Sequence, residues 1–258
     1  MNYGMWVAAS GVLTSMTSQD VQSNNLANAS TTAFKPDALP IRQRATVRDE
    51  DNLPWMDSNR MLERLGAGVM PEATVPKLGQ GSLRATDNPF DVAVRGSAFM
   101  RVEAANPEGF ALTRDGRLTI GSDGTLARVA DGAQVLDRAG SPIALNRALP
   151  VRIDADGSVN QGGARVGVID LVTVAQPTTL RKQGDGNFRI PHGAEVGDLR
   201  RDHGAQLVAG SIEESGVNAI STLMGITNAS RAAQGGMRMI TTLDQINAAA
   251  ITRLGRVS

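Results

Sequence analysis

The spacing of hydrophobic and polar positions changes twice along this chain. Residues 2–28 contain no proline, and apolar or small side chains return every three or four positions: Met5, Ala9, Val12, Met16, Gln19, Ser23 and Leu26. That spacing marks one face of a helix, because a helical turn takes 3.6 residues; Trp6 and Leu13 widen the face. Pro36 ends the helical reading, since the residue before a proline is pushed out of the α region. A second helix is predicted beyond Val217. There Ile226, Ala229, Ala233, Gly236, Ile240, Leu243, Asn247, Ala250 and Leu254 alternate steps of three and four, which is a coiled-coil-like seam. Small residues at its centre admit a close neighbouring backbone. The alternative is that Gly235–Gly236 breaks the helix, each glycine costing about 1 kcal/mol relative to alanine. Ser215–Gly216 supplies the lead-in turn, with Asn218 or Ser221 as the cap.

Between these segments the pattern is that of short strands. Residues 40–210 hold ten of the eleven prolines and most of the glycines. Asp-Gly pairs fall at 115–116, 123–124, 131–132, 156–157 and 185–186, among short apolar runs such as Val92-Ala93-Val94 and Val151-Arg152-Ile153. Asp-Gly between such runs predicts type I′ hairpins, whose two central residues need positive φ. The expected fold is therefore mixed α and β but mainly β, with terminal α-helices forming a coiled-coil-like helical domain around a central antiparallel β domain of sandwich or barrel type. The expected boundaries are 1–35 with 211–258 for the helical domain, 36–70 for an extended linker, and 71–210 for the β domain. Two amphipathic helices at opposite termini cannot each bury a face alone. They pair with each other or with neighbouring copies, which points to assembly.

Composition narrows the function. Lys+Arg and Asp+Glu both number 26 in 258 residues, so the chain lacks the basic excess of a nucleic-acid binder and repels itself little. Aromatic residues make up 3%, too few for a stacking platform. There is no cysteine, which excludes disulfides, thiolate metal sites and cysteine nucleophiles. No apolar run reaches the roughly 18 residues of a membrane span, and the N-terminus lacks the pattern of a secretory signal peptide. Only two histidines occur, His192 and His203, both in Gly/Pro-rich surroundings. No Gly-x-Ser-x-Gly elbow is present, Asp154–Gly157 lacks the later ligands of a calcium loop, and Gly66–Gly68 lacks the lysine of a phosphate loop. No catalytic residue, metal site or cofactor is expected.

Four segments resemble the flagellar rod and hook protein family. Residues 23–35, Ser-Asn-Asn-Leu-Ala-Asn-Ala-Ser-Thr-Thr-Ala-Phe-Lys, are similar to its SNNLANxxTxGFK signature, with Ala33 where glycine is usual. Residues 86–99, from Thr86-Asp87-Asn88-Pro89-Phe90-Asp91 to Phe99, resemble TGNPLDxAIxGxGFF. Leu112-Thr113-Arg114-Asp115-Gly116-Arg117-Leu118, followed by Gly124-Thr125-Leu126, resembles YTRxGxF…GxL; residues 210–218 resemble GxLExSNVN. The second helix departs from the family's Arg-Ala-Tyr-Glu, reading Arg231-Ala232-Ala233-Gln234. Length and a single β domain suit a rod protein rather than the longer hook protein. The tail Leu254-Gly255-Arg256-Val257 resembles the proximal-rod type, which is favoured over the distal-rod type; residues 35–68 instead accommodate an extended segment like that of distal-rod subunits.

The resemblance implies a structural subunit of the basal-body rod in the periplasmic space, exported without a cleavable signal peptide through the flagellar type III apparatus. Implied partners are copies of itself, other rod proteins, hook-side axial proteins and the surrounding rings, with no nucleic acid and no membrane insertion. The assembly interface is then expected at Met5, Ala9, Val12, Met16, Asn24, Asn25, Leu26, Asn28, Phe34, Val217, Asn218, Ile226, Ala233, Gly236, Ile240, Leu243 and Leu254. Asn24 and Asn28 share a helix face and bond to a neighbour or, alternatively, only end the helix. Residues 40–69, with Trp55, Met56 and Met61, bridge neighbours or form a solvated loop. A soluble β-rich periplasmic binding module explains the Asp-Gly hairpins but leaves both helical seams without a purpose.

Overall fold

The computed structural model describes residues 3–45, 66–104, 109–190, 199–202 and 204–254. His192, His203, Trp55, Met56 and Met61 lie outside them. The chain forms two compact units: one of Met1–Ala27, Asp37–Val75 and Asn218–Ser258, the other of Asn28–Pro36 and Pro76–Val217.

The first unit is built on two helices, α1 (Tyr3–Ala27) and α2 (Ala219–Leu254). Helix α1 is rich in hydroxyl residues, and several of them bond back to the helix itself. Thr14 donates to Ser10 O at 2.9 Å, Ser15 to Gly11 O at 2.8 Å, and Thr17 to Leu13 O at 3.0 Å. A side chain bonded back to its own helix brings little unmet polarity to a packed face. The end of α1 is clamped by Asn25, whose amide donates to Asp37 O at 2.9 Å and accepts from Asp37 N at 2.8 Å. Asn218 caps α2, its side-chain oxygen accepting from Ser221 N at 3.0 Å. Helix α2 then runs unbroken through Gly235–Gly236, so the glycine pair is not a breaker. Ile41–Gln43 and Val69–Pro71 pair antiparallel beside the helices.

The second unit is made of short strands. Its largest sheet has six, ordered Arg181–Gly184, Asn187–Arg189, Phe110–Thr113, Phe99–Glu103, Leu171–Val174, Leu199–Arg201, with every pairing antiparallel. Strand period two divides the core between its faces. Met100, Val102, Ala111 and Leu171 join one cluster with Val92, Leu126, Val159 and Leu207, while Phe99, Phe110, Leu112 and Val172 join another with Leu180 and Phe188. The sheet is thus covered on both sides, and the described residues form no closed barrel, which removes one of the two expected architectures.

The Asp-Gly pairs behave less uniformly than type I′ turns require. Only Asp185–Gly186 has both residues at positive φ, 49° and 73°. At 123–124, 131–132 and 156–157 the glycine alone is left-handed. In these three the aspartate accepts from the backbone N–H two residues on, at Thr125, Ala133 and Ser158, over 3.0–3.2 Å. These are Asx turns closed by a left-handed glycine. The Thr125 hydroxyl and N–H hold the Asp123 carboxyl below the usual carboxylate range, and the Ser158 N–H and hydroxyl do the same for Asp156.

Asp115–Gly116 is not a hairpin turn at all. Gly116 O accepts from Val92 N at 2.9 Å, and a Cβ on Gly116 would sit 1.7 Å from Val92 O. Glycine is required there by close approach of two backbones. Gly116→Ala is expected to destabilise the protein by at least about 2 kcal/mol, through overpacking that no side-chain rotation relieves. The shift of the urea midpoint measures it.

Candidate assembly surface

The four family-like segments converge on one buried cluster of charges in the second unit. Lys35, Arg114 and Glu213 are each 1% exposed or less. Lys35 Nζ donates to Glu213 Oε1 at 2.5 Å and to Gly79 O at 2.8 Å; Gly81 N also donates to Oε1, at 2.6 Å. Arg114 Nη1 lies 3.4 Å from Oε2, while its other arm donates to Gly96 O and its guanidinium stacks 5.0 Å from the Phe99 ring centroid. Burial pulls both cations below their ordinary pKa, and the carboxylate between them opposes that pull. Around this cluster the two connections to the helices run side by side. Ala33 N donates to Glu213 O and Gly216 N to Phe34 O, both at 2.8 Å. Ala33 itself is left-handed, with φ 56°, which accounts for glycine being usual there. Burying its methyl, worth about 0.8 kcal/mol, offsets much of the roughly 1–2 kcal/mol steric cost.

None of the three charged residues is among the expected interface positions, although each stands inside a quoted segment. The available signal was one lysine, one of the two arginines Arg114 and Arg117, and one of the two adjacent glutamates Glu213 and Glu214, each within a strand-like or turn-like motif. Removing one partner of such a cluster leaves uncompensated buried charge. Glu213→Gln is expected to cost roughly 3–5 kcal/mol, far more than an exposed pair such as Arg84–Glu214 would, as read by urea unfolding.

The expected interface residues separate into three groups. Those of the first pack in the helix pair, which is antiparallel. Val12 is buried opposite Gly236, whose Cβ, if present, would meet Val12 Cγ2 at 2.5 Å. Met5 is half-buried, with Asn247 Nδ2 3.8 Å from its sulfur, and Gln22 lies against Gly225. Ala233 is buried; Ala9, Leu26, Ile226, Ile240 and Leu243 are half-buried. Members of a second group point outward: Met16, Asn24 and the cap residue Asn218 are exposed. A third group belongs to the β unit, where Asn28 begins the connection, Phe34 lies 4.0 Å beneath the Lys182 ammonium, and Val217 is half-buried. Leu254 is the last residue of α2. Asn25 turns inward to Asp37 rather than outward.

A single-face reading of the helices missed a second set of side chains. Trp6 and Leu13, expected to widen the buried face of α1, are 49% and 64% exposed. On α2, Ile220, Leu223, Met224, Met237, Met239, Ile246 and Ile251 are exposed as well. Apolar residues found all round a helix signal more than one packing face, and that was legible in the sequence. The adjacent glycines make a paired test. A Cβ at 235 meets nothing within 4 Å, whereas one at 236 meets Val12. Gly235→Ala is therefore expected to stabilise by about 1 kcal/mol, and Gly236→Ala to lower the thermal midpoint.

The helical unit carries outward apolar side chains, and the strand unit is fastened by buried charge. Among the described residues no group of side chains has metal-holding geometry, and no helix is long and apolar enough to cross a membrane. No family model matches the chain. It is 30% identical to the flagellar basal-body rod protein FlgF of Caulobacter vibrioides, over 100% of both chains. It is 27% identical to FlgF of Salmonella typhimurium over 95% of each, and 27% identical to the rod protein FlgG of Buchnera aphidicola from Schizaphis graminum over 94% and 96%. The chain belongs to the flagellar basal-body rod protein family. Its role is structural, that of a rod subunit rather than an enzyme.

Proposed function

We propose that the chain is a proximal-type rod subunit that polymerises through the outward faces of its two terminal helices. The exposure of Trp6, Leu13, Met16, Ile220, Met224, Met239 and Ile246 on one helix pair carries this reading, because so many large apolar groups on a small unit mark an interaction surface. The antiparallel seam of Val12 with Gly236 and Met5 with Asn247 supports a short coiled coil as the unit of assembly. Its partners are copies of itself and other rod proteins, with hook-side axial proteins, surrounding rings and the flagellar type III export apparatus as further contacts. The rod it builds lies in the space between the bacterial membranes.

Full-length similarity to proteins named FlgF favours the proximal type; similarity of comparable extent to proteins named FlgG keeps the distal type as the second reading. A deletion strain separates them, stopping at a rodless basal body for a proximal subunit and at a truncated rod for a distal one.

The cut that tests the terminal helices must spare residues 28–36, since Ala33, Phe34 and Lys35 are bonded into the β unit. Removing residues 1–27 is expected to abolish polymerisation, followed by sedimentation, while strand-type circular dichroism persists. A trimmed chain that still polymerises overturns the reading.

A further inference from the structure

We infer that the adjacent glycines of α2 serve two different helices: Gly236 receives the chain's own α1, and Gly235 receives the α1 of a second copy. The inference rests on the assembly role proposed above and specifies the contact. Consecutive residues of a helix point about 100° apart, so the two glycines open two notches on different faces. One notch is filled by Val12. The other is empty to 4 Å and lies in a row of exposed residues, Arg231, Gly235, Met239, Thr242 and Ile246, spaced by four, four, three and four. That is a continuous helix face separate from the seam.

Helix α1 carries a matching stripe. Trp6, Leu13 and Asp20 recur at intervals of seven and are all exposed, and Asp20 is the sole charged residue in α1. Laid antiparallel, Asp20 falls beside Arg231, Leu13 between Gly235 and Met239, and Trp6 beside Ile246. This is close to the register that α1 and α2 use within the chain, where Val12 meets Gly236 and Met5 meets Asn247. Neither Asp20 nor Arg231 has an ion-pair partner among the described residues. The charges are complementary, and pairing them selects this register over neighbouring ones.

The geometry also fixes polarity. A second copy's α1 antiparallel to this α2 is parallel to this chain's own α1, so all copies point the same way. The contact joins two different surfaces, and such heterologous contacts close into rings or continue as helical filaments.

Because the chain has no cysteine, the test begins on a clean background. Full-length Leu13→Cys and Met239→Cys chains, made separately and mixed under polymerising conditions with a mild oxidant, are expected to form a mixed disulfide dimer; Leu13→Cys with Leu223→Cys is not. Asp20→Arg and Arg231→Asp are each expected to raise the concentration needed for polymerisation roughly threefold or more, and the double variant in one chain to restore it. Gly235→Leu is expected to block polymerisation while leaving the thermal midpoint of the monomer unlowered. A parent chain that polymerises while the Leu13–Leu223 pair cross-links instead, or while the double charge reversal fails to rescue, overturns this contact and leaves the proposed function intact. A parent chain that never polymerises overturns both.

Discussion

A carboxylate with no exposed surface must be neutralised where it lies, and Glu213 is neutralised by cations from two distant stretches of chain. Lys35 arrives from the connection leaving α1, Arg114 from the turn after a central strand, and Glu213 stands just before α2. Two positive charges around one negative make a costly arrangement unless every remaining polar group is bonded, and the carbonyls of Gly79 and Gly96 and the N–H of Gly81 bond most of them. Gly81 is there because the backbone has to come close: a Cβ on it would meet Glu214 O at 2.3 Å. What the cluster achieves is positional. It holds Phe34 next to Gly216, so the β unit hands the chain over to the helical unit at two neighbouring points.

The helices solve the opposite problem. They carry few charges and many hydroxyls and amides. Bonding the hydroxyls to preceding carbonyls removes their need for a partner across an interface. Helix stability then comes from apolar contacts and close approach at Gly236 rather than from ion pairs along the surface.

The helices were readable because periodicity is a local property that survives without tertiary knowledge. The expected α2 stripe is buried or half-buried from Ile226 through Asn247, whereas Ala250 beyond it is exposed; Asn218 caps as its chemistry suggested. Outward faces were harder, because Leu13 and Trp6 look like any core residues until the partner's width is known. Asp-Gly pairs announced turns, but Gly116 shows that the same dipeptide also serves where two backbones touch, a contact 24 residues removed from Gly116 in sequence that no local pattern encodes. The Lys35–Arg114–Glu213 cluster was illegible for the same reason: a charged residue in a motif looks solvated until the fold brings three of them together.

The fastening at Glu213 also shortens the loop that the helices must close when the chain folds. Closing α1 onto α2 directly would tie off a loop of about 190 residues, whereas with Phe34 and Gly216 already paired the effective loop is about ten; the difference in closure entropy is roughly 2–3 kcal/mol. The β unit is therefore favoured to fold first and to act as the template on which the helix hairpin forms. Chain synthesis and any passage led by the N-terminus present α1 long before α2, and α1 must wait unpaired until residues 211–217 have locked into place. A chain made this way keeps its helical unit incomplete until the last sixth of its length has arrived.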